Sequence, residues 1–107
     1  MTVLSISPFD KQIKKLAKKY PSIKTEFANL IDSLESDPQL GIPLGNNCFK
    51  IRISIASRGK GKSGGGRVIT NFVIRDETVY LLAIYDKSEK DAIADKELQT
   101  LLKHVPQ

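Results

Sequence analysis

Between Phe49 and Val68 the chain reads FKIRISIASRGKGKSGGGRV, and no other stretch limits the possible folds as much. Phe49, Ile51, Ile53 and Ile55 alternate with Lys50, Arg52 and Ser54, which predicts a strand with one apolar and one basic side. A glycine-lysine loop interrupts it, and a β-favouring run resumes at Arg67. The apolar side needs a cover, so the rest of the chain has to supply one. The stretch holds Lys50, Arg52, Arg58, Lys60, Lys62 and Arg67 and no acid; the nearest carboxylates in sequence are Asp37 and Asp76. One-signed density of this kind points to a polyanion.

The cover is written upstream. Val3 to Ser7 reads as a short strand ended by Pro8, which suits the opening turn of a helix. Phe9, Ile13, Leu16, Ala17 and Tyr20 then recur at helical spacing, with Lys11, Lys14, Lys15, Lys18 and Lys19 on the opposite side. That lysine face suits a phosphate backbone or simply water. After a break at Tyr20-Pro21-Ser22, Ile23, Phe27, Leu30, Ile31 and Leu34 mark a second helix, making an antiparallel helical hairpin. Asp37-Pro38 ends it, and Gly41, Pro43, Gly45 and Asn46 read as a loop.

Downstream, Arg67 to Arg75 and Thr78 to Tyr85 are two further strands joined at Asp76-Glu77 in a tight hairpin. The run TVYLLAIY is apolar on both sides, as in the interior of a sheet. Ser88, with Asp91 three residues on, has helix-cap spacing, and Asp95 is placed to cap a last helix through Leu98, Leu101 and Leu102. The expected architecture is α+β in the order β-α-α-β-β-β-α: an N-terminal strand and helical hairpin on a mostly antiparallel sheet, with a short C-terminal helix. Residues 1–107 form one domain, long enough for a hydrophobic core.

At 40% hydrophobic and 27% charged, the composition is that of a globular domain rather than a disordered tail. The formal charge of +5 favours acidic partners, though it also serves solubility. Cys48 is the single cysteine, so no internal disulfide is expected and a reducing compartment fits. The opening MTVLSIS lacks a secretory signal, and the longest apolar stretch, Val79 to Tyr85, is too short to span a bilayer; a cytoplasmic protein is expected, with no membrane partner.

Several chemistries are excluded. Residues Ala56 to Ser63 fit a relaxed P-loop string, but a P-loop needs a helix after the serine, and here Gly64-Gly65-Gly66 lead into a strand. His104 is the only histidine, which rules out a paired-histidine ribonuclease mechanism, and one Cys with one His cannot assemble a zinc site. No metal and no cofactor is expected. The loop suits a merely flexible hairpin, yet cations spaced by glycines let side chains and amides approach phosphates closely. Within Tyr85-Asp86-Lys87, Tyr85 and Lys87 share a strand face by period two if the strand extends that far.

Three segments together resemble a known family: Phe-Lys-Ile-Arg at 49–52, Gly-Lys-Gly-Lys-Ser-Gly-Gly-Gly-Arg-Val-Ile at 59–69, and Val-Tyr-Leu-Leu-Ala-Ile-Tyr-Asp-Lys-Ser-Glu-Lys at 79–90. They are similar to the RelE/ParE toxin superfamily of bacterial type II toxin–antitoxin systems, and within it to the HigB-like/RelE-like branch. The resemblance implies a ribosome-dependent mRNA endoribonuclease that works without metal, inhibits translation and is silenced by a cognate antitoxin, with which it could form a hetero-oligomer. Carried over by position, it implies catalytic roles for Arg52, Arg67, Tyr85 and Lys87. The basic stretch itself makes Lys50, Arg58, Lys60 and Lys62 the expected RNA contacts. The late histidine of some members is absent here, so the general base is open. Two other readings compete: a ParE-like poison of DNA gyrase that cuts nothing, and a basic RNA-binding module without catalysis.

Overall fold

A computed structural model describes residues 1–56, 65–90 and 92–106. Strand β1 (Thr2–Ser5) is followed by helices α1 (Ser7–Lys19) and α2 (Ile23–Ser36). Then come β2 (Ile42–Gly45), β3 (Cys48–Ile53), β4 (Gly66–Val73), β5 (Thr78–Asp86) and α3 (Asp95–Leu102). The sheet order is β1-β5-β4-β3-β2; β1 runs parallel to β5 and every other pairing is antiparallel. The α+β architecture expected from the sequence is the one found, with one strand added.

That strand is β2, in the stretch read as a loop. It pairs with β3 through Ile42↔Lys50, Pro43↔Phe49 and, after an irregularity, Gly45↔Cys48. Proline and glycine disfavour a central strand but are tolerated at an edge, where one side of the ladder needs no partner. Gly41, at φ +106°, makes the approach possible: a Cβ there would lie 2.5 Å from the Lys50 carbonyl oxygen. Other boundaries shift slightly. β1 ends at Ser5, and Ser7 already belongs to α1, with Pro8 in its first turn. β4 stops at Val73, and a single 3-10 turn over Ile74–Asp76 leads to Glu77 at φ +50°, so the connection is wider than a two-residue hairpin. Ser88 caps no helix, and Asp91, its expected partner, lies outside the described residues. Asp95 is the first helical residue of α3 rather than its cap; Ala94 holds the cap position without a side-chain bond.

Both faces of the sheet are covered in part. On α1 and α2, Phe9, Leu16, Ile23, Leu30 and Leu34 are buried, and the Phe9 and Phe27 rings meet with centroids 5.6 Å apart. The five lysines expected on the outer side of α1 are exposed. All nine residues of β5 are buried. On the face away from this hairpin, Ile69 and Ala83 share the core with Leu98, Leu101 and Val105 from α3 and its end, so the last helix shelters that side near β5.

The β4–β5 ladder carries a bulge. Thr70 pairs with Leu81 but Ile69 with Ala83, which leaves Leu82 extra on β5. Leu81 and Leu82 are both almost fully buried. Past the bulge the pairs are Val68↔Ile84, Arg67↔Tyr85 and Gly66↔Asp86.

Candidate nucleic-acid interface

A glycine at the junction delivers β4 to its place. Gly65 has φ +58°, and a Cβ on it would fall 2.4 Å from the Ile53 carbonyl oxygen. Only glycine takes that conformation at that distance without displacing backbone. The next residue but one is Arg67. Its ladder partners are Arg52 on β3 and Tyr85 on β5, so the three side chains stand in one row on one face. Two positions along β3, Lys50 stands on that same face.

Like charges directly opposite each other on a sheet are destabilising. Here Arg52 faces Arg67, and the latter is only 5% exposed. Its guanidinium donates from Nη1 to the Gly66 carbonyl at 3.0 Å, which fixes the fork close to the strand. Lys87, one residue beyond β5, donates its backbone N–H to the Gly65 carbonyl at 3.1 Å. The result is a cavity of about 370 Å³ lined by Ile42, Lys50, Arg52, Arg67, Lys87 and Ala92. Four cations converge on it, and none of the lining residues is an acid. Among the described residues no ion pair involves Lys50, Arg52 or Lys87. Several cations held around one concavity raise a strong local field, and the natural complement is a phosphate chain.

The cavity thus brings together Lys50, Arg52, Arg67 and Lys87. Tyr85 belongs to the same row but is not among the lining residues; it is 8% exposed, and the Lys90 ammonium sits 5.2 Å from its ring centroid. Lys90 also forms an ion pair with Glu97 of α3, so the segment after β5 folds back over the ring. Arg58, Lys60 and Lys62 lie outside the described residues.

Two walls of the cavity were not foreseen from sequence. Ile42 was hidden by the loop reading of β2, and Ala92 by its place between two charge clusters. A third residue also escaped notice. Asp86 is fully buried and accepts hydrogen bonds from Tyr20 Oη, Ser88 N and Ser88 Oγ, all at 2.9 Å. The Asp-x-Ser spacing at 86–88 is the signal that could have found it, since aspartate often bonds the backbone two residues on.

Cys48 and His104 stand apart from this chemistry. Cys48 is buried beside Asn71, whose Nδ2 donates to Sγ at 3.5 Å; burial pushes the thiol above its ordinary pKa, and the Asn71 contact offsets this only in part. A nucleophilic cysteine needs the opposite shift. His104 is exposed in the turn after α3. Among the described residues no three His, Cys, Asp or Glu side chains come together as a metal-binding group, and no helix is long and apolar enough to cross a membrane.

Comparison with known proteins agrees on the class. A family model described as the RelE toxin of the RelE / RelB toxin-antitoxin system matches residues 9–106. An arginine-to-alanine double mutant of E. coli toxin RelE in the free state is similar at a TM-score of 0.62 and 13% identity, over 98% of this chain and 97% of that one. A chain of the intact E. coli RelBE toxin-antitoxin complex is similar at a TM-score of 0.60 and 14% identity, over 78% of this chain and 92% of that one. At such identities the likeness of the structures is one of fold.

Proposed function

Because this chain belongs to the RelE toxin family of toxin–antitoxin systems, we propose that it is a ribosome-dependent mRNA endoribonuclease, held silent by a cognate antitoxin. The observation that carries the reading is the cavity lined by Lys50, Arg52, Arg67 and Lys87 with no acid in its walls. Its cations suit an RNA backbone and suit even better a phosphorus centre that gains negative charge.

In this reaction the RNA 2′-hydroxyl attacks the adjacent phosphorus, its proton leaves to a base, and the 5′-oxygen departs with a proton from an acid. Charge builds on the non-bridging oxygens in between. Arg67 and Arg52 clamp those oxygens with paired N–H donors, a geometry that lysine matches less well. Fixed in place by its bond to the Gly66 carbonyl, Arg67 needs little reorganisation at the moment of reaction. Lys50 positions the neighbouring phosphate. Lys87 is the proton-transfer group of this mechanism, and Tyr85 shapes the floor beneath the arginines.

The test is a purified translation system with a defined message. Wild-type protein should produce cuts in the translated message that disappear with Arg67→Ala, while gyrase supercoiling continues undisturbed. Intact message together with blocked supercoiling would transfer the chain to the gyrase-poisoning class. Bound but intact RNA in every variant would leave a binding module.

A further inference from the structure

The proposed mechanism asks much of Lys87, a long side chain just past the end of a strand. Its neighbour explains how it is held. The Asp86 carboxylate is completely buried on the helix side of the sheet, where one oxygen takes both bonds from Ser88 and the other the bond from Tyr20 at the end of α1. Its backbone carbonyl accepts from Glu89 N at 2.9 Å and Lys90 N at 3.2 Å. Residues 86–90 are therefore wound around a single acid. A buried carboxylate is tolerated only when its lone pairs are satisfied, so this winding is strongly specified.

The turn has one outlet toward the cavity. Lys87 lies between the clamped Asp86 and the doubly bonded Ser88, with its own N–H tied to the Gly65 carbonyl. Its side chain lines the cavity together with that of Arg67, whereas the Asp86 carboxylate lies on the helix side. We infer that Asp86 is a positioning residue: its buried carboxylate, anchored by Tyr20 and Ser88, sets Lys87 against Arg67 in the cavity. What the positioned lysine achieves rests on the nuclease reading above; that it is positioned does not.

The experiment is a mutant cycle. Asp86→Asn keeps the size of the side chain but removes its charge and puts a donor where an acceptor is needed. On translated message it should lower kcat by roughly tenfold or more, the scale of a small misplacement in a catalytic site, with KM held within about twofold. In a Lys87→Ala background the same substitution should cost nothing further, because a residue acting through Lys87 has nothing left to act on. In the free protein, NMR relaxation of the Lys87 ammonium should show a drop in order on Asp86→Asn. Tyr20→Phe and Ser88→Ala each remove one anchor and should give smaller losses of the same kind, and they carry the comparison if Asp86→Asn does not fold. Equal losses with and without Lys87 would reveal a general stability effect and overturn the inference, as would unchanged Lys87 order. Absence of cleavage by wild-type protein would sink the nuclease reading alone, leaving the order measurement to decide the positioning.

Discussion

Arg67 stands in a row of three, with Arg52 on one side and Tyr85 on the other. Replacing it with alanine should leave the protein folded and lower the cleavage rate by a hundredfold or more, since one lost transition-state donor costs about 3–4 kcal/mol. Arg67→Lys should recover part of that loss, because charge survives but the fork does not. Growth inhibition at matched expression, beside a melting curve, measures both; full toxicity of the alanine variant removes Arg67 from the mechanism. A second residue gives a pH signature. The folded-state pKa of Cys48 is raised by burial, so its stabilising contribution is complete below the thiol's unfolded value, about 8.5, and is lost as pH rises through the folded value. The stability of wild type relative to Cys48→Ala should therefore shrink from pH 7 to pH 10 in urea titrations, and a constant difference would contradict the shift. Arg52 and Lys50 were legible in the sequence because β3 alternates without interruption. Tyr85 was legible as a strand residue, but its burial was not, because the segment holding Lys90 is close in sequence and folds back in space.

The elements themselves were mostly written in periodicity. α1 and α2 show their buried stripes at helical spacing, and β5 shows itself by its apolar run from Val79 to Tyr85. β2 did not show, because an edge strand with proline and glycine in four residues uses the vocabulary of a loop. The junction into β4 is the most demanding local geometry in the site. Gly65→Ala forces a side chain into a left-handed backbone, costing about 1–3 kcal/mol, and drives its Cβ against the Ile53 carbonyl as well. We expect a lower melting temperature together with weakened activity, since the same junction sets Arg67. Unchanged stability would mean that β3 and β4 can separate there without penalty. Phe9→Ala, by contrast, should cost about 3–5 kcal/mol through the emptied space beside Phe27, at a site remote from the cavity. Its kcat per folded molecule should stay near wild type.

At the scale of the whole molecule the decisive property is how charge is sorted between two faces of one sheet. Binding of an uncleavable, 2′-deoxy-substituted RNA should weaken steeply with salt, and each of Lys50→Ala and Arg52→Ala should reduce the log–log slope by about 0.7. An unaltered slope would show that those side chains do not meet phosphate. Naked RNA should be a poor substrate beside translated message: the domain is small, and a ribosome-held strand supplies orientation that in favourable cases reaches roughly 7–11 kcal/mol. The single extra residue at Leu82 governs all of this from a distance. Without the bulge, pairing from Thr70↔Leu81 would run on through Ile69↔Leu82 and Val68↔Ala83, placing Ile84 opposite Arg67. Tyr85 would turn toward the helices, and Asp86 would arrive on the arginine face as a built-in counter-ion. The same amino acids in the same order, one step out of phase, would set a carboxylate among the cations and weaken the groove's hold on a phosphate. Insertions and deletions across residues 79–86 should therefore abolish toxicity far more readily than most substitutions there, because a change of length swaps which face owns the acid.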